Sequence, residues 1–78
     1  MPDNIKEKIV KRINKGDTEK VFISLRNYRE KDLIDIRQYY QNEKGEWCPT
    51  KKGISINMEH FDELKEGVLA LEKEIEDF

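Results

Sequence analysis

The chain has 78 residues, of which 36% are hydrophobic and 41% are charged, so it suffices for one small domain with little apolar material for a core. A single cysteine excludes an internal disulfide, one cysteine with one histidine does not make a zinc site, and no cofactor is expected. No apolar run is long enough to span a bilayer, and the N-terminus lacks the pattern of a signal peptide. Because small domains without disulfides or metals commonly depend on a partner chain, we expect a homo-oligomer.

The net charge of −2 is distributed unevenly along the chain. Residues 1–52 hold 13 Lys and Arg against 9 Asp and Glu, a net of +4, whereas residues 53–78 hold 2 against 8, a net of −6. Segregated charge predicts a molecule with one basic side and one acidic side. An anionic ligand is therefore compatible with the basic part, although the whole chain is acidic.

The first predicted element is a short amphipathic helix at residues 4–15. Three isoleucines recur there at every fourth position, which is typical of a helix. Asn4 could cap its start and Gly16 its end. Its five cations could contact phosphate or could simply keep a helix face in water, and the second interpretation is favoured.

From Lys20 onward the hydrophobic period changes to two, which predicts strands at residues 20–26 and 32–40. One predicted face is apolar and consists of Val21, Ile23, Leu25, Ile34 and Ile36. The opposite face carries Ser24, Arg26, Asp35 and Arg37. The turn between the two strands lacks the glycine that would ease it.

Residues 41–46 predict a hairpin turn in which Gly45 can adopt a positive φ. Residues 47–50 predict a short third strand, and Pro49 places it at a sheet edge or a bulge because proline cannot donate a hydrogen bond. Residues 54–56 predict a fourth strand.

Asn57 is a suitable cap for a helix at residues 58–75, in which apolar residues recur every three or four positions. Gly67 weakens this helix unless another backbone packs against it. The sequence thus predicts an α+β fold, namely a four-stranded antiparallel meander with one C-terminal helix on its apolar face and a short extra N-terminal helix. One side of the sheet is left bare, which favours association with a ligand there.

Cations and aromatic rings are interleaved over residues 26–56, a pattern typical of a surface for single-stranded nucleic acid, since cations meet phosphates and rings stack on bases. The cations in question are Arg26, Lys31, Arg37, Lys51 and Lys52. Ordinary solubilising charge is the alternative, with Asp35 pairing Arg26 or Arg37. Among the rings, Tyr28 lies in a polar turn and is hard to explain as core, whereas Trp47 favours packing.

The run LIDIRQYYQNEKGEWCPTKKGISIN resembles the C-terminal domain of the transcriptional coactivator positive cofactor four. With the preceding FISLRNYREK, the resemblance covers roughly residues 19–75, so we divide the chain into an N-terminal extension at 1–18 and a binding domain at 19–78. The resemblance implies a curved four-stranded sheet followed by a helix, assembled as a symmetric homodimer with channels for single-stranded DNA.

By the same resemblance, Tyr28 occupies a position where the family stacks an aromatic ring on a base, and Tyr40 one where it uses tryptophan. The basic positions that contact phosphate fall on Arg29, Lys31, Arg37 and Lys52, assisted by Lys51. The first hairpin departs from the family pattern in lacking glycine and in carrying Glu30.

The resulting hypothesis is a non-enzymatic homodimer that binds single-stranded DNA regardless of sequence, acting on opened duplex in transcription, replication or repair. RNA or melted duplex could occupy the same face. The alternative is an interaction cofactor that recruits polymerase or replication proteins, with nucleic acid incidental. The expected location is the cytoplasm, at the nucleoid, for a bacterial or phage protein and the nucleus for a eukaryotic one.

Overall fold

The computed structural model describes residues 6–78, which form a four-stranded antiparallel sheet followed by a helix. The elements are β1 (Lys6–Asn14), β2 (Glu19–Tyr28), β3 (Lys31–Gln41), β4 (Trp47–Asn57), a 3₁₀ turn (Met58–His60) and α1 (Phe61–Asp77). The strands lie in the order β1-β2-β3-β4, so each pairs with its neighbour in the chain. The predicted α+β class and the meander are confirmed.

The predicted helix at 4–15 is wrong for its described part, because residues 6–14 form strand β1. β1 pairs with β2 along its length, and the register shifts between Ile9 and Lys11. The extra residue at this bulge, Val10, breaks the period of two. The isoleucines consequently recur at a helix-like spacing, although Ile and Val favour strands and β2 supplies backbone partners. The boundary drawn at 18/19 falls between two strands of one sheet.

The two short strands predicted at 47–50 and 54–56 are one continuous strand, β4. Its register against β3 shifts where Arg37 pairs with Gly53 but Tyr39 pairs with Pro49, so β4 has extra residues there. The Thr50 hydroxyl closes this bulge by donating to the Gln38 carbonyl at 2.7 Å. Pro49 thus lies on an edge strand beside a bulge, as predicted.

Isoleucine and leucine side chains line one face of the sheet, called here the apolar face. Cross-strand pairing forms two rows, Ile23–Ile36–Ile54 and Leu25–Ile34–Ile56. With Val21, which pairs with Gln38 on the same side of β2, the face consists of Val21, Ile23, Leu25, Ile34, Ile36, Ile54 and Ile56. The predicted apolar face is confirmed and extends onto β4.

The C-terminal helix begins as predicted, since the Asn57 side chain accepts a hydrogen bond from the backbone N–H of Glu59 at 3.0 Å. The helix lies over the apolar face, as predicted, but it does not pack closely against it. No residue of α1 is buried, and Leu64 alone in it is half-buried. A cavity of about 370 Å³ separates the first turns of the helix from the apolar face. The helix is also too short and too polar to cross a membrane, as is any other helix within residues 6–78.

Little of the apolar material is buried within a single chain. Among the described residues, Phe22 and Ile34 are the only buried hydrophobic side chains. The radius of gyration is 14.7 Å, whereas a compact domain of this length is expected to have about 11.5 Å. One chain therefore leaves its main hydrophobic surface, on the sheet and on α1, open.

Candidate nucleic-acid interface

The side of the sheet opposite the apolar face carries four of the eight predicted site residues, namely Arg26, Tyr28, Lys31 and Arg37, and is called here the polar face. Strand alternation and the pairing of β2 with β3 place its residues in register. The polar face consists of Lys20, Phe22, Ser24, Arg26, Tyr28, Lys31, Leu33, Asp35, Arg37 and Tyr39, with Glu7, Ile9 and Arg12 from β1 and Trp47, Gly53 and Ser55 from β4. The predicted arrangement of Ser24, Arg26, Asp35 and Arg37 on one face is confirmed.

A two-residue hairpin projects from one end of the polar face, between β2 and β3. Arg29 and Glu30 form its tip with φ of 50° and 67°, the left-handed conformation that a tight hairpin requires. Tyr28 is 40% exposed, and the guanidinium carbon of Arg29 lies 5.2 Å from its ring centroid. Tyr28 pairs with Lys31 across the strands. The hairpin thus presents one exposed ring beside two cations.

Arg37, in the middle of the polar face, is held by three hydrogen bonds within the sheet. Its Nε and Nη2 donate to the two carboxylate oxygens of Asp35 at 3.2 and 3.1 Å, and Nη1 donates to the Thr50 carbonyl at 3.0 Å. The Ser55 hydroxyl donates to the same Asp35 carboxylate at 2.7 Å. Of the two pairings left open by the sequence, Asp35 therefore pairs with Arg37.

The ionisation of this cluster follows from its contacts. Burial by itself raises the pKa of Asp35, but hydrogen bonds from Arg37 and Ser55 outweigh burial, and the net pKa is lowered. The hydrogen bond to Asp35 raises the pKa of Arg37. Burial, reinforced by Glu7 and Asp35, raises the pKa of the Tyr39 hydroxyl. The cluster is accordingly a charged pair at neutral pH.

Gly53 gives Arg37 the space to lie across β4. A Cβ at this position would come within 2.7 Å of Cβ and Cγ of Arg37 and 2.8 Å of its Cα. Distances that short are not tolerated, so any side chain here must displace Arg37. The Lys-Gly-Ile-Ser run of the sequence has its glycine for this close approach.

Three further predicted cations differ in their surroundings from Arg37. The Arg26 Nε lies 3.5 Å from a carboxylate oxygen of Glu7, an exposed ion pair of small energetic value. Lys51 and Lys52 are exposed in the β4 bulge, next to Thr50, whose carbonyl binds Arg37. The bulge thus places two exposed lysines on the edge strand β4, between Thr50 and Gly53.

Tyr40 lies apart from the other predicted residues. Tyr39 shares the polar face with Arg37, so the next residue of the strand, Tyr40, points to the opposite side of the sheet. It is 45% exposed there. A strand of nucleic acid on the polar face reaches Tyr40 only by passing around the sheet.

An aromatic and cationic group lies on the polar face at the end away from the hairpin; sequence reasoning did not single out Lys20, and it assigned Trp47 to packing. Lys20, Tyr39 and Trp47 lie here, with Arg12 beside them. Alternation with Arg37 predicts Tyr39 on this face, and the pairing of Lys20 with Tyr39 confirms it. Arg12 could not be placed, because its segment was taken for a helix.

The chain matches known proteins over most of its length. Residues 15–67 match the family model described as Transcriptional Coactivator p15 (PC4). The RNA polymerase II transcriptional coactivator SUB1 of Saccharomyces cerevisiae is 46% identical over 43 residues, which are 54% of this chain and 15% of that protein. The coactivator KIWI of Arabidopsis thaliana is 36% identical over 55 residues, which are 70% of this chain and 50% of that protein. The chain thus spans half or less of these two relatives.

Two solved structures share the fold. A PC4 homolog from Burkholderia pseudomallei, BPSL1147, superimposes with a TM-score of 0.81 at 30% identity, covering 88% of this chain and 93% of that one. MoSub1, whose structure was solved as a complex with DNA, superimposes with a TM-score of 0.59 at 28% identity, covering 86% of this chain and 82% of that one. The family match extends over more than half of the chain, and the sheet-and-helix architecture agrees with it. This chain belongs to the PC4 family of transcriptional coactivators.

Proposed function

We propose that the chain binds single-stranded DNA, without preference for sequence, along the polar face of its sheet, and that it does so as a homodimer acting on opened duplex. The observation that carries this proposal is the hairpin tip, where the exposed ring of Tyr28 stands between Arg29 and Lys31. A ring that stacks on any base, beside cations that meet the flanking phosphates, is the arrangement of sequence-independent single-strand binders.

The rest of the polar face supports a continuous path for the strand. Arg26 lies one row inward from the hairpin, and Arg37 lies farther along the same face. Lys51 and Lys52 are exposed in the bulge, between Thr50, whose carbonyl binds Arg37, and Gly53, which pairs with Arg37. The binding of DNA by the structural neighbour MoSub1 supports DNA as the ligand. Tyr40 joins the proposed site at the point where the DNA strand passes around the end of the sheet.

The open hydrophobic surface supports a second copy of the chain as partner. The cavity between sheet and helix is lined by apolar side chains of the sheet and of α1, and Val68 and Leu69 beside it are 55% and 57% exposed. Leu71 and Ile75 continue this apolar stripe along α1. Apolar surface of this extent on a small chain is typical of an interface. A helix-to-helix dimer would bury it and leave both polar faces free.

Titration of a labelled dT16 with the protein, followed by fluorescence anisotropy, tests DNA binding. If five cations per chain each neutralise one phosphate, the log–log slope of affinity against salt is about −3.5. Absence of binding at micromolar protein and low salt would exclude the proposal. Competition with matched single-stranded RNA and with duplex decides which nucleic acid is preferred.

A substitution in the hairpin between β2 and β3 tests whether DNA binds on the polar face. Tyr28→Ala is expected to weaken dT16 binding by about 1–3 kcal/mol, the contribution of one stacked base. Phe78→Ala is the matched control, because it removes an exposed ring at the far end of α1. Equal affinities of the two variants would remove Tyr28 from the site.

An interaction module for basic proteins is the second candidate function. Its support is the acidic segment 53–78, with a net charge of −6 and a helix whose carboxylates are exposed. Such a surface suits a basic patch on a polymerase or replication protein. A pull-down repeated after nuclease treatment distinguishes the two functions, because only direct protein contacts survive it.

A further inference from the structure

Three aromatic rings form a cluster on the polar face, at the end of the sheet away from the hairpin. Phe22 and Tyr39 are stacked with centroids 4.3 Å apart, and the Trp47 ring lies 6.2 Å from Phe22 at an angle of 47°. Phe22 is 3% exposed, so the surrounding side chains cover its ring. Trp47 is only half-buried and keeps part of its ring toward the solvent.

Two cations lie against this cluster. The Lys20 ammonium is 4.9 Å from the Trp47 centroid, and the Arg12 guanidinium is 5.5 Å from the Phe22 centroid. An exposed cation–π contact is weaker than the stacking of a base on an aromatic ring. Lys20 also has a flexible stem and a strongly hydrated ammonium, so it can leave the ring at small cost. A base could therefore replace Lys20 on Trp47.

We propose that Trp47 is a further stacking subsite for a base of single-stranded DNA, with Lys20 and Arg12 as its phosphate partners. This inference rests on the proposed function, because it extends the same strand of DNA beyond the hairpin. Like the hairpin, this subsite combines an aromatic ring with cations on the polar face. It lies at the end of β2 opposite Tyr28.

The separation of the two stacking positions fits one continuous strand of DNA. Tyr28 and Lys20 are eight residues apart on β2, which corresponds to roughly 27 Å. A stacked strand advances about 3.4 Å per nucleotide, so about eight nucleotides connect them. Arg26 and Arg37 lie between the two positions on the same face. An oligomer of 16 nucleotides is therefore long enough to occupy both.

The competing explanation is that the rings are only a small hydrophobic cluster covered by Lys20. Because the chain has a single tryptophan, its fluorescence reports on Trp47 alone and distinguishes this explanation from base stacking. Titration of the unaltered protein with dT16 is expected to quench the Trp47 emission, in parallel with the anisotropy of a labelled dT16. Inorganic polyphosphate, which has phosphates but no bases, is expected to leave most of the emission unchanged. An equal quench with polyphosphate would overturn stacking, because displacement of Lys20 alone would then explain it.

Two substitutions provide a second readout. Trp47→Leu is expected to weaken dT16 binding at least about fivefold, the lower end of what one stacked base contributes, whereas Trp47→Phe retains a ring and most of the affinity. Thermal unfolding followed by circular dichroism verifies that both variants are folded. A normal anisotropy response with constant Trp47 emission and an unaltered affinity of Trp47→Leu would overturn the subsite and leave DNA binding intact. No anisotropy response in any protein would overturn the proposed function, and the subsite with it.

Discussion

Arg37 is hydrogen-bonded within the sheet, so a ligand can bind only those of its N–H groups that the sheet does not engage. A guanidinium has five N–H donors, and three of those of Arg37 are directed at Asp35 and Thr50. Its side chain is 22% exposed and that of Asp35 is 3% exposed. The pair holds the guanidinium in a fixed position, with two N–H groups not engaged by Asp35 or Thr50. A residue that the sequence suggested as a phosphate contact is thus also part of the framework.

Asp35→Asn is expected to lower the free energy of unfolding by about 1–3 kcal/mol, because a charged hydrogen-bonded pair is lost while Arg37 remains partly solvated. The pKa of Asp35 is lower in the folded than in the unfolded chain, whose value is about 3.9. Asp35 therefore stabilises the fold above that value, and this stability disappears as the pH falls through the folded pKa. Urea unfolding measured from pH 7 down to pH 2.5 should show a steep loss for the natural protein and a shallower one for Asp35→Asn. Parallel curves would contradict the ion pair.

Gly53→Ala tests the close approach of β4 to Arg37. The added methyl group would overlap the Arg37 side chain, so we expect a loss of about 1–3 kcal/mol in stability and a displaced guanidinium. Gly16→Ala is the matched control, since nothing lies within 4 Å of a Cβ there. Chemical denaturation of both variants measures the difference, and equal midpoints would show that the space at Gly53 is not needed.

At the scale of elements, the sequence predicted β2, β3 and the C-terminal helix correctly and failed at β1 and β4. Alternation is regular in β2 and β3, where each residue has one cross-strand partner. β1 and β4 each contain a bulge. One extra residue reverses the alternation within β1, whereas in β4 residues 50–52 lie opposite Gln38 alone and interrupt the pairing. Pattern analysis then finds a helix in one case and two strands in the other. Bulges depend on the partner strand, so they cannot be read from local periodicity.

The candidate site, like the fold, could be predicted from the sequence only in part. The common face of Arg26 and Arg37 follows from alternation, and Tyr28 follows from its polar turn. The position of Trp47 over Phe22 could not be predicted, because it depends on how β4 folds beside its bulge. The same is true of Arg12, which reaches Phe22 only because its segment is a strand.

The hairpin between β2 and β3 should be stabilised by Glu30→Gly. Glu30 has a φ of 67°, a conformation that is costly for all residues with a Cβ and free for glycine. After the larger entropy of glycine in the unfolded chain is considered, a gain of about 0.5–1 kcal/mol is expected. Thermal unfolding measures it.

Glu43→Gly is the control for that substitution. It makes the same chemical change in the other hairpin, where Gly45 already supplies the positive φ. We expect Glu43→Gly to be neutral or destabilising. If both variants gain equally, relief of strain at Glu30 is not the cause.

At the scale of the whole molecule, a single chain buries little of its hydrophobic surface, since Phe22 and Ile34 are the only buried hydrophobic residues among those described. Leu71→Glu should therefore weaken the proposed dimer at least about tenfold. A C₂ interface would contain this leucine twice, and each buried leucine contributes about 1.5–3 kcal/mol. Light scattering over a range of concentrations measures the dissociation constant. Because loss of the dimer removes stabilisation, the unfolding temperature at a given protein concentration should also fall.

Ala70→Glu is the matched control for the dimer prediction. It adds the same charge to the same helix, at an exposed position outside the apolar stripe of Val68, Leu71 and Ile75. Ala70→Glu is expected to remain associated like the natural protein. Dissociation of both variants would indicate repulsion between acidic helices rather than loss of an apolar contact.

The bulge and the charges of β1 have a consequence for solubility. Within residues 6–78, β1 is an edge of the sheet and has β2 as its one neighbouring strand. Exposed edges rich in Ile and Val are where sheets of separate molecules join into aggregates. In β1 the irregular register near Val10 interrupts the straight ladder that another molecule would need, and Lys8, Lys11 and Arg12 oppose the approach of an identical edge. The bulge that breaks the period of two in β1 is therefore also expected to oppose edge-to-edge association of separate molecules.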